Sequence, residues 1–139
     1  MTELLSKLNF KEGMKIFMAE IPSEFLPTAM QWTNLGIVVE KPAAADFFIS
    51  FATTAEGIAR NFSQIKDNIQ NDQVFWMAYP KGTSKKYKAS INRDTGWEVL
   101  GQNGFEGVRQ IAIDADWSAL RFRKVDFIKN LTRKNRMTS

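Results

Sequence analysis

The stretch that decides the fold runs from Val74 to Lys124 and reads VFWMAYPKGTSKKYKASINRDTGWEVLGQNGFEGVRQIAIDADWSALRFRK. It begins with Val74–Tyr79, an apolar run typical of a buried strand, and continues into a basic loop that contains glycine. A helical pattern follows, and two further strand-like runs come after it, Val108–Ile113 and Leu120–Val125. Because only a few residues separate these two runs, they predict an antiparallel hairpin.

The chain before this stretch alternates between strand and helix patterns. Met14–Ile21 and Asp46–Phe51 are strand-like, and each precedes a run with apolar residues at helical spacing. Thr53 and Glu56 have the spacing of a capping box and predict where the second of these helices begins. The short run Ile37–Val39 has two possible assignments: an antiparallel neighbour in the sheet or an extended loop. The alternation predicts an α/β fold with a mainly parallel sheet, a C-terminal antiparallel hairpin and helices on the faces.

The composition excludes several kinds of chemistry. The 139 residues include no cysteine and no histidine, which excludes disulfides, thiolate metal sites, cysteine nucleophiles and a Ser-His-Asp triad. No Asp-rich loop has calcium-binding spacing, so we expect no metal site. There is no apolar run of transmembrane length, and the N-terminus lacks a signal-peptide core, so we expect a cytoplasmic, bacterial-type protein with no membrane partner.

The charge is unevenly distributed along the chain. From Arg121 to Ser139 there are seven Lys and Arg residues and one Asp, a net charge of +6, whereas the rest of the chain sums to −2. We therefore expect one α/β domain at residues 1–126 and a basic C-terminal tail at residues 127–139. Such a tail is typical of a solubilising chain end, and weak contact with nucleic acid is the alternative.

The candidate ligand-binding residues lie in two segments, the loop after the predicted strand Val74–Tyr79 and the region of the last predicted strand. Lys81 directly follows a predicted strand, and Ser84 lies in the same loop, whose glycine, hydroxyls and lysines can hold an anion although the Walker spacing is absent. In the last strand Arg121 and Arg123 alternate with Phe122, which places both guanidinium groups on one face of the sheet.

The hairpin turn leaves two interpretations open. Either Asp114 or Asp116 pairs with Arg121 as a structural clamp, or Arg121 converges with Lys81 on one anion. The ring of Trp117 either packs in the core or stacks on a ring ligand. The ligand-binding hypothesis names Lys81, Ser84, Trp117, Arg121 and Arg123, with no catalytic residue among them.

Two motifs resemble those of a known family. The chain carries W-x-x-x-P-K at Trp76–Lys81 and D-x-x-W-S-x-L-R-F at Asp114–Phe122. Both resemble motifs of an uncharacterised bacterial family of domains of unknown function, and the resemblance spans Gly13 to Lys124. It implies a fold and no activity. The order of strands and helices is also similar to the second half of the Rossmann-like methyltransferase fold.

The methyltransferase resemblance implies a glycine-rich turn after the first strand, where the backbone approaches the cofactor. The corresponding turn, Ala19–Ser23, contains no glycine, and Glu40 is the only candidate for holding a ribose. The sequence therefore predicts a non-catalytic, small Rossmann-like module without a cofactor, which binds an anionic small molecule or a protein partner. The alternatives are a divergent S-adenosylmethionine-dependent methyltransferase and weak nucleic-acid binding through the basic tail.

Overall fold

Five strands form one sheet in the computed structural model, which describes residues 3–128. The expected tail at residues 127–139 therefore lies mostly outside the described residues. The strands are β1 (Ile16–Ala19), β2 (Phe47–Phe51), β3 (Val74–Pro80), β4 (Phe105–Ala112) and β5 (Trp117–Lys124). They lie in the order β1-β2-β3-β5-β4, with β1, β2 and β3 parallel to one another. Strand β5 is antiparallel to both β3 and β4, which confirms the predicted mainly parallel sheet with a C-terminal hairpin.

Helices cover both faces of this sheet. Helices α1 (Glu3–Lys7) and α2 (Leu26–Asn34) pack on one face, and α3 (Ala55–Ile65) and α4 (Glu98–Gln102) pack on the other. Strands β2 and β3 lie between the two layers and are buried at every residue, which explains why their sequences are continuous apolar runs. None of the helices in this part of the chain is long and apolar enough to cross a membrane.

The apolar patterns of the sequence predict five buried core residues, Phe48, Phe62, Ile65, Trp76 and Ile111, and four of them are buried. Phe48, Phe62, Ile65 and Trp76 are each at most 1% exposed. Ile111 was expected to be equally buried, but it is only half-buried, because β4 is the edge strand of the sheet. The two faces therefore hold separate cores that meet only through the central strands.

Several predicted boundaries shift. Helix α3 is capped by Thr54, whose Oγ1 accepts a hydrogen bond from the Gly57 N–H over 3.0 Å, so the predicted cap at Thr53 is wrong by one residue. Both hairpin strands begin three residues earlier than expected. On β4 a bulge between Gly107 and Arg109 interrupts the alternation of side chains.

The open assignment of Ile37–Val39 is resolved by a single parallel bridge. Val38 pairs with Ile16, and the Val39 N–H donates to the Ile16 carbonyl over 2.9 Å. This segment is thus an extended chain that touches the outer side of β1 at one point, and it is not an antiparallel neighbour.

Replacing Phe62 with alanine tests the core on the α3 face. The ring lies 5.4 Å from Phe105 and 6.1 Å from Phe75, centroid to centroid. We expect Phe62→Ala to lower the free energy of unfolding by about 3–5 kcal/mol, because it leaves a cavity between helix and sheet. Urea unfolding measures this loss. Gln64→Ala, on the exposed side of the same helix, should change it by less than about 0.5 kcal/mol, and equal losses would contradict this packing.

Candidate functional site

The candidate site lies where the direction of the connections between strands reverses. After β1 the chain passes through α2 to Val38, on the outer side of β1. It then returns to form β2, on the inner side of β1. Connections that leave two neighbouring strands in opposite directions open a crevice at their carboxyl ends, and open α/β sheets bind ligands in such crevices.

A cavity of about 290 Å³ occupies this crevice. Its walls come from the turn after β1, the end of β2, the beginning of α3, the loop after β3 and the first residue of β5. The volume is close to the lower limit of known ligand pockets, about 300 Å³, and so it suits a small molecule. Seven of the lining residues supply its charged, hydroxyl and aromatic groups: Glu20, Phe51, Thr53, Thr54, Arg60, Tyr87 and Trp117.

Aromatic rings form the floor of this cavity. Trp117 packs edge-to-face against Phe51 at a centroid distance of 5.2 Å and against Tyr87 at 5.0 Å. The buried side-chain amide of Asn61 donates to the Phe51 carbonyl over 2.9 Å and so fixes the end of β2. Trp117 and Phe51 are buried, whereas Tyr87 is half-buried and presents part of its ring to the cavity.

The carboxylate of Glu24, from the turn after β1, holds two of these rings in place. The Tyr87 hydroxyl donates to its Oε1 over 2.5 Å, and the Trp117 indole N–H donates to the same oxygen over 2.7 Å. Lys86 Nζ donates to Oε2 over 2.9 Å. The side chain of Glu24 is 19% exposed.

These contacts decide the charge of Glu24. Desolvation by burial, the largest single effect, raises its pKa. The hydrogen bonds from Tyr87, Trp117 and Lys86 together outweigh that effect and hold the pKa well below the ordinary range of a glutamic acid. Glu24 is therefore ionised at neutral pH.

The hairpin between β4 and β5 is shaped by its own aspartates. Oδ1 of Asp114 accepts hydrogen bonds from the backbone N–H groups of Asp116 and Trp117, both over 2.8 Å. Oδ1 of Asp116 accepts the Ser84 hydroxyl over 2.8 Å. The Arg121 guanidinium donates instead to the side chain of Asn9 over 3.2 Å, so the aspartates fix the turn and do not clamp that arginine.

An ion pair spans the mouth of the crevice. Glu20, directly after β1, has a φ of +54°, a left-handed conformation that residues with a side chain rarely adopt. Its carboxylate accepts two hydrogen bonds from Arg60 of α3, from Nε over 3.0 Å and from Nη2 over 2.9 Å. These bonds raise the pKa of Arg60. A side chain thus occupies the place where a glycine would leave the crevice open.

The structure divides the five sequence-predicted site residues into two groups, the first of which lies at the carboxyl edge of β3. Trp117 lines the crevice. Lys81 lines a separate open groove together with Arg93, and its backbone N–H donates to the Asp116 carbonyl over 2.8 Å. Ser84 is engaged by Asp116. Only Trp117 among these three residues reaches the cavity.

Arg121 and Arg123, the second group, lie further along β5. The antiparallel register puts Trp117 at the end of β3 but Arg121 opposite Trp76, four residues or roughly 13 Å from that edge. Lys81 and Arg121 therefore do not converge on one anion. That each of the five residues binds a ligand stays a prediction.

Four residues of the site were not predicted from sequence: Glu20, Glu24, Arg60 and Tyr87. Glu20 and Glu24 lie in or next to the glycine-free turn that the sequence singles out, so a signal existed for them. Their partners lie 40 residues away for Arg60 and 63 residues away for Tyr87, and no local spacing indicates contacts of that range.

Comparison with known proteins supports the fold. The chain is similar to a SAM dependent methyltransferase from Aquifex aeolicus, with 14% identity, 88% of each chain covered and a TM-score of 0.55. It is also similar to a tRNA methyltransferase from B. subtilis, with 10% identity, 89% of this chain and 66% of that chain covered and a TM-score of 0.50. At these identities the likeness shows a methyltransferase-like Rossmann fold and nothing further. No family model and no curated protein matches the sequence.

The described residues contain no group of three or more acidic side chains arranged to hold a metal ion. The chemistry available at the crevice is therefore that of one ionised carboxylate fixed by hydrogen bonds, one exposed ion pair and a floor of aromatic rings.

Replacing Glu24 with glutamine tests the carboxylate that fixes the rings. We expect Glu24→Gln to lower the free energy of unfolding by about 1–3 kcal/mol at neutral pH, because it removes the charge that three donors share. The pKa of Glu24 is lower in the folded state than in the unfolded state. Its contribution is therefore fully present above the unfolded pKa, about 4.3, and is lost as the pH falls through the folded pKa.

Urea unfolding at about pH 7 and about pH 3.5 measures this effect, and the difference between wild type and variant should shrink at the lower pH. Glu12→Gln, which changes an exposed glutamate outside the site, is the matched control and should have little effect at either pH. A difference for Glu24→Gln that stays constant with pH would show that its charge does not stabilise the site.

Proposed function

We propose that this protein is a Rossmann-like binding module that takes an anionic small molecule with a flat ring in the crevice between β1 and β2. The observation that carries the proposal is the 290 Å³ cavity at the reversal of the strand connections, with an aromatic floor and an arginine at its mouth. A concave crevice of this size, with a few polar groups beside aromatic rings, favours a small molecule over a protein partner as the ligand.

The floor supports this function because it is rigid before any ligand arrives. Glu24 fixes the orientations of Tyr87 and Trp117 through the two short hydrogen bonds to Oε1. A preorganised wall lowers the entropic cost of binding, since fewer side chains must be ordered when the ligand enters. A flat ring of the ligand would lie against the accessible part of the Tyr87 ring.

The anionic group of the ligand would bind Arg60. This guanidinium is 58% exposed and already holds a carboxylate, that of Glu20, in a forked geometry. A phosphate or carboxylate of the ligand can take the same donors once Glu20 turns away. The hydroxyl of Thr54, at the N-terminus of α3, lines the same cavity and offers a further donor.

The geometry favours binding over catalysis. Glu24 is the carboxylate most firmly placed beside the cavity, and its lowered pKa keeps it ionised at neutral pH. A group with so low a pKa is a weak base, and its oxygens already accept four side-chain hydrogen bonds, from Tyr87, Trp117, Lys86 and Ser23, so it is poorly suited to proton transfer. We therefore assign it a positioning role.

Methyl transfer is the second candidate function, and the fold likeness to methyltransferases favours it. The crevice, however, does not fit S-adenosylmethionine well. The turn after β1 contains no glycine, and the Glu20 side chain crosses the mouth to Arg60. Glu40, the candidate for the ribose, is exposed beyond the single bridge at Val38.

Calorimetric titration of the full chain with adenosine monophosphate, adenosine, inorganic phosphate and S-adenosylmethionine tests both functions. We expect the monophosphate to bind with a Kd below about 1 mM and adenosine to bind more weakly. Arg60→Gln should weaken the monophosphate at least tenfold, whereas Glu20→Gln should strengthen it, because the competing carboxylate is removed. Lys66→Gln removes a positive charge just after α3 and should leave the affinity unchanged.

Opposite changes in the Glu20 and Arg60 variants would identify the ion pair as the entrance to the site. Equal affinity in the wild type and Arg60→Gln, or no heat with any of these probes, would contradict the proposed module. Binding of S-adenosylmethionine tighter than about 100 μM, roughly 5.5 kcal/mol, would replace it with the methyltransferase function.

A further inference from the structure

We propose a second anion site, separate from the crevice, in which Arg109 and Arg121 together bind a phosphate group beside Asn9. The three side chains meet where the chain leaving α1 crosses the β4–β5 hairpin. Arg121 lies opposite Trp76 in the register of β3 and β5, away from the carboxyl edge that forms the crevice.

The first observation is a pair of like charges. Arg109 and Arg121 are direct partners across the two strands, and like charges in that position repel each other. Both guanidinium groups donate to the same atom, Oδ1 of Asn9, over 3.0 Å from Arg109 and 3.2 Å from Arg121. One neutral oxygen shared between two cations does not neutralise either of them.

The second observation is an unsatisfied donor. Arg121 is half-buried, and its Nε is buried without any hydrogen-bond partner. A buried donor without a partner costs about 1–3 kcal/mol, and native structures rarely leave one. Burial, together with the neighbouring charges of Arg123 and Arg109, lowers the pKa of Arg121. The site therefore has an excess of positive charge and of donors.

Asp72 attracts Arg121 electrostatically, but this carboxylate is already engaged by Arg123. Asp72 accepts hydrogen bonds from Arg123 at both of its oxygens, over 3.0 and 2.6 Å. Glu106 lies opposite Arg123, further along the hairpin. Within residues 3–128 no ion pair joins either Arg109 or Arg121 to a carboxylate.

The surrounding fold holds these groups in place. Asn9 has a φ of +65°, and the carbonyl of the residue before it, Leu8, accepts the buried indole N–H of Trp76 over 2.8 Å. The bulge between Gly107 and Arg109 changes the direction of the strand just where Arg109 begins its pairing. Two guanidinium groups on a rigid hairpin present forked donors to one tetrahedral oxyanion, which is the geometry that phosphate prefers.

Thermal unfolding of the full chain in inorganic phosphate, against sodium chloride at equal ionic strength, tests this site. Phosphate should raise the Tm of the wild type more than chloride does, because it binds the native state. Arg109→Gln, at an exposed residue, and Arg121→Met, which keeps the length of the buried side chain, should each lose this phosphate-specific gain. Both variants should be at least as stable as the wild type in chloride, because each removes the repulsion.

Arg93→Gln changes another exposed arginine, which is next to Asp94, and as the control should keep the full gain. A short single-stranded oligonucleotide at low salt distinguishes the source of the phosphate. If it binds more than tenfold tighter than inorganic phosphate and the two variants weaken it, a nucleic-acid backbone is the source. If it does not, the ligand is a small phosphate compound. A wild type that gains no more from phosphate than from chloride, or variants that keep the gain, would overturn the proposal.

Discussion

The arrangement of the site depends on one interaction, the sharing of the Glu24 carboxylate among Lys86, Tyr87 and Trp117. Glu24 belongs to the turn after β1, its first two partners to the loop after β3, and Trp117 to the beginning of β5. The contacts join residues 62, 63 and 93 positions apart, so they exist only when the sheet is assembled. Burying a carboxylate is unfavourable unless its oxygens are satisfied, and these three donors meet that condition. The Glu24 side chain therefore joins three separate segments at the carboxyl ends of the strands, and it also fixes the aromatic rings on the floor of the crevice.

Glu24 and Arg121 differ in whether contacts within the protein satisfy their charge. Both side chains are half-buried, but Glu24 accepts four side-chain hydrogen bonds, whereas Arg121 shares one neutral oxygen with a second arginine and leaves its Nε unpaired. A satisfied buried charge has little capacity to bind anything else. An unsatisfied one keeps donors for a partner from outside. Trp117, at the beginning of β5, is thus held in place by Glu24, whereas Arg121, in the middle of the strand, keeps donors for the anion that we propose.

Whether the sequence predicts a given feature of this structure depends on how far apart in the chain the interacting residues lie. Strand and helix patterns are local, so the parallel order of β1, β2 and β3 and the antiparallel hairpin followed from them. The burial of Phe62 and Trp76 followed from the same patterns. The alternation of Arg121 and Arg123 with Phe122 predicted that the ring lies on the face opposite the arginines, and Phe122 is fully buried. The separation of Lys81 from Arg121 could not be predicted, because it depends on the register between β3 and β5, which no local pattern specifies.

The position of the crevice is set by topology, and its mouth shows how a ligand can enter. Glu20 stands in a left-handed conformation that costs a residue with a side chain about 1 kcal/mol or more relative to glycine. The ion pair with Arg60 lies in solvent, where water and salt weaken such contacts, so it offsets little of that strain. Opening the mouth therefore loses little stability, and the anionic ligand that we propose would need only a small advantage over Glu20 to take its place on Arg60. A substitution of Glu20 that keeps its shape but removes its charge should then act on ligand affinity far more than on folding.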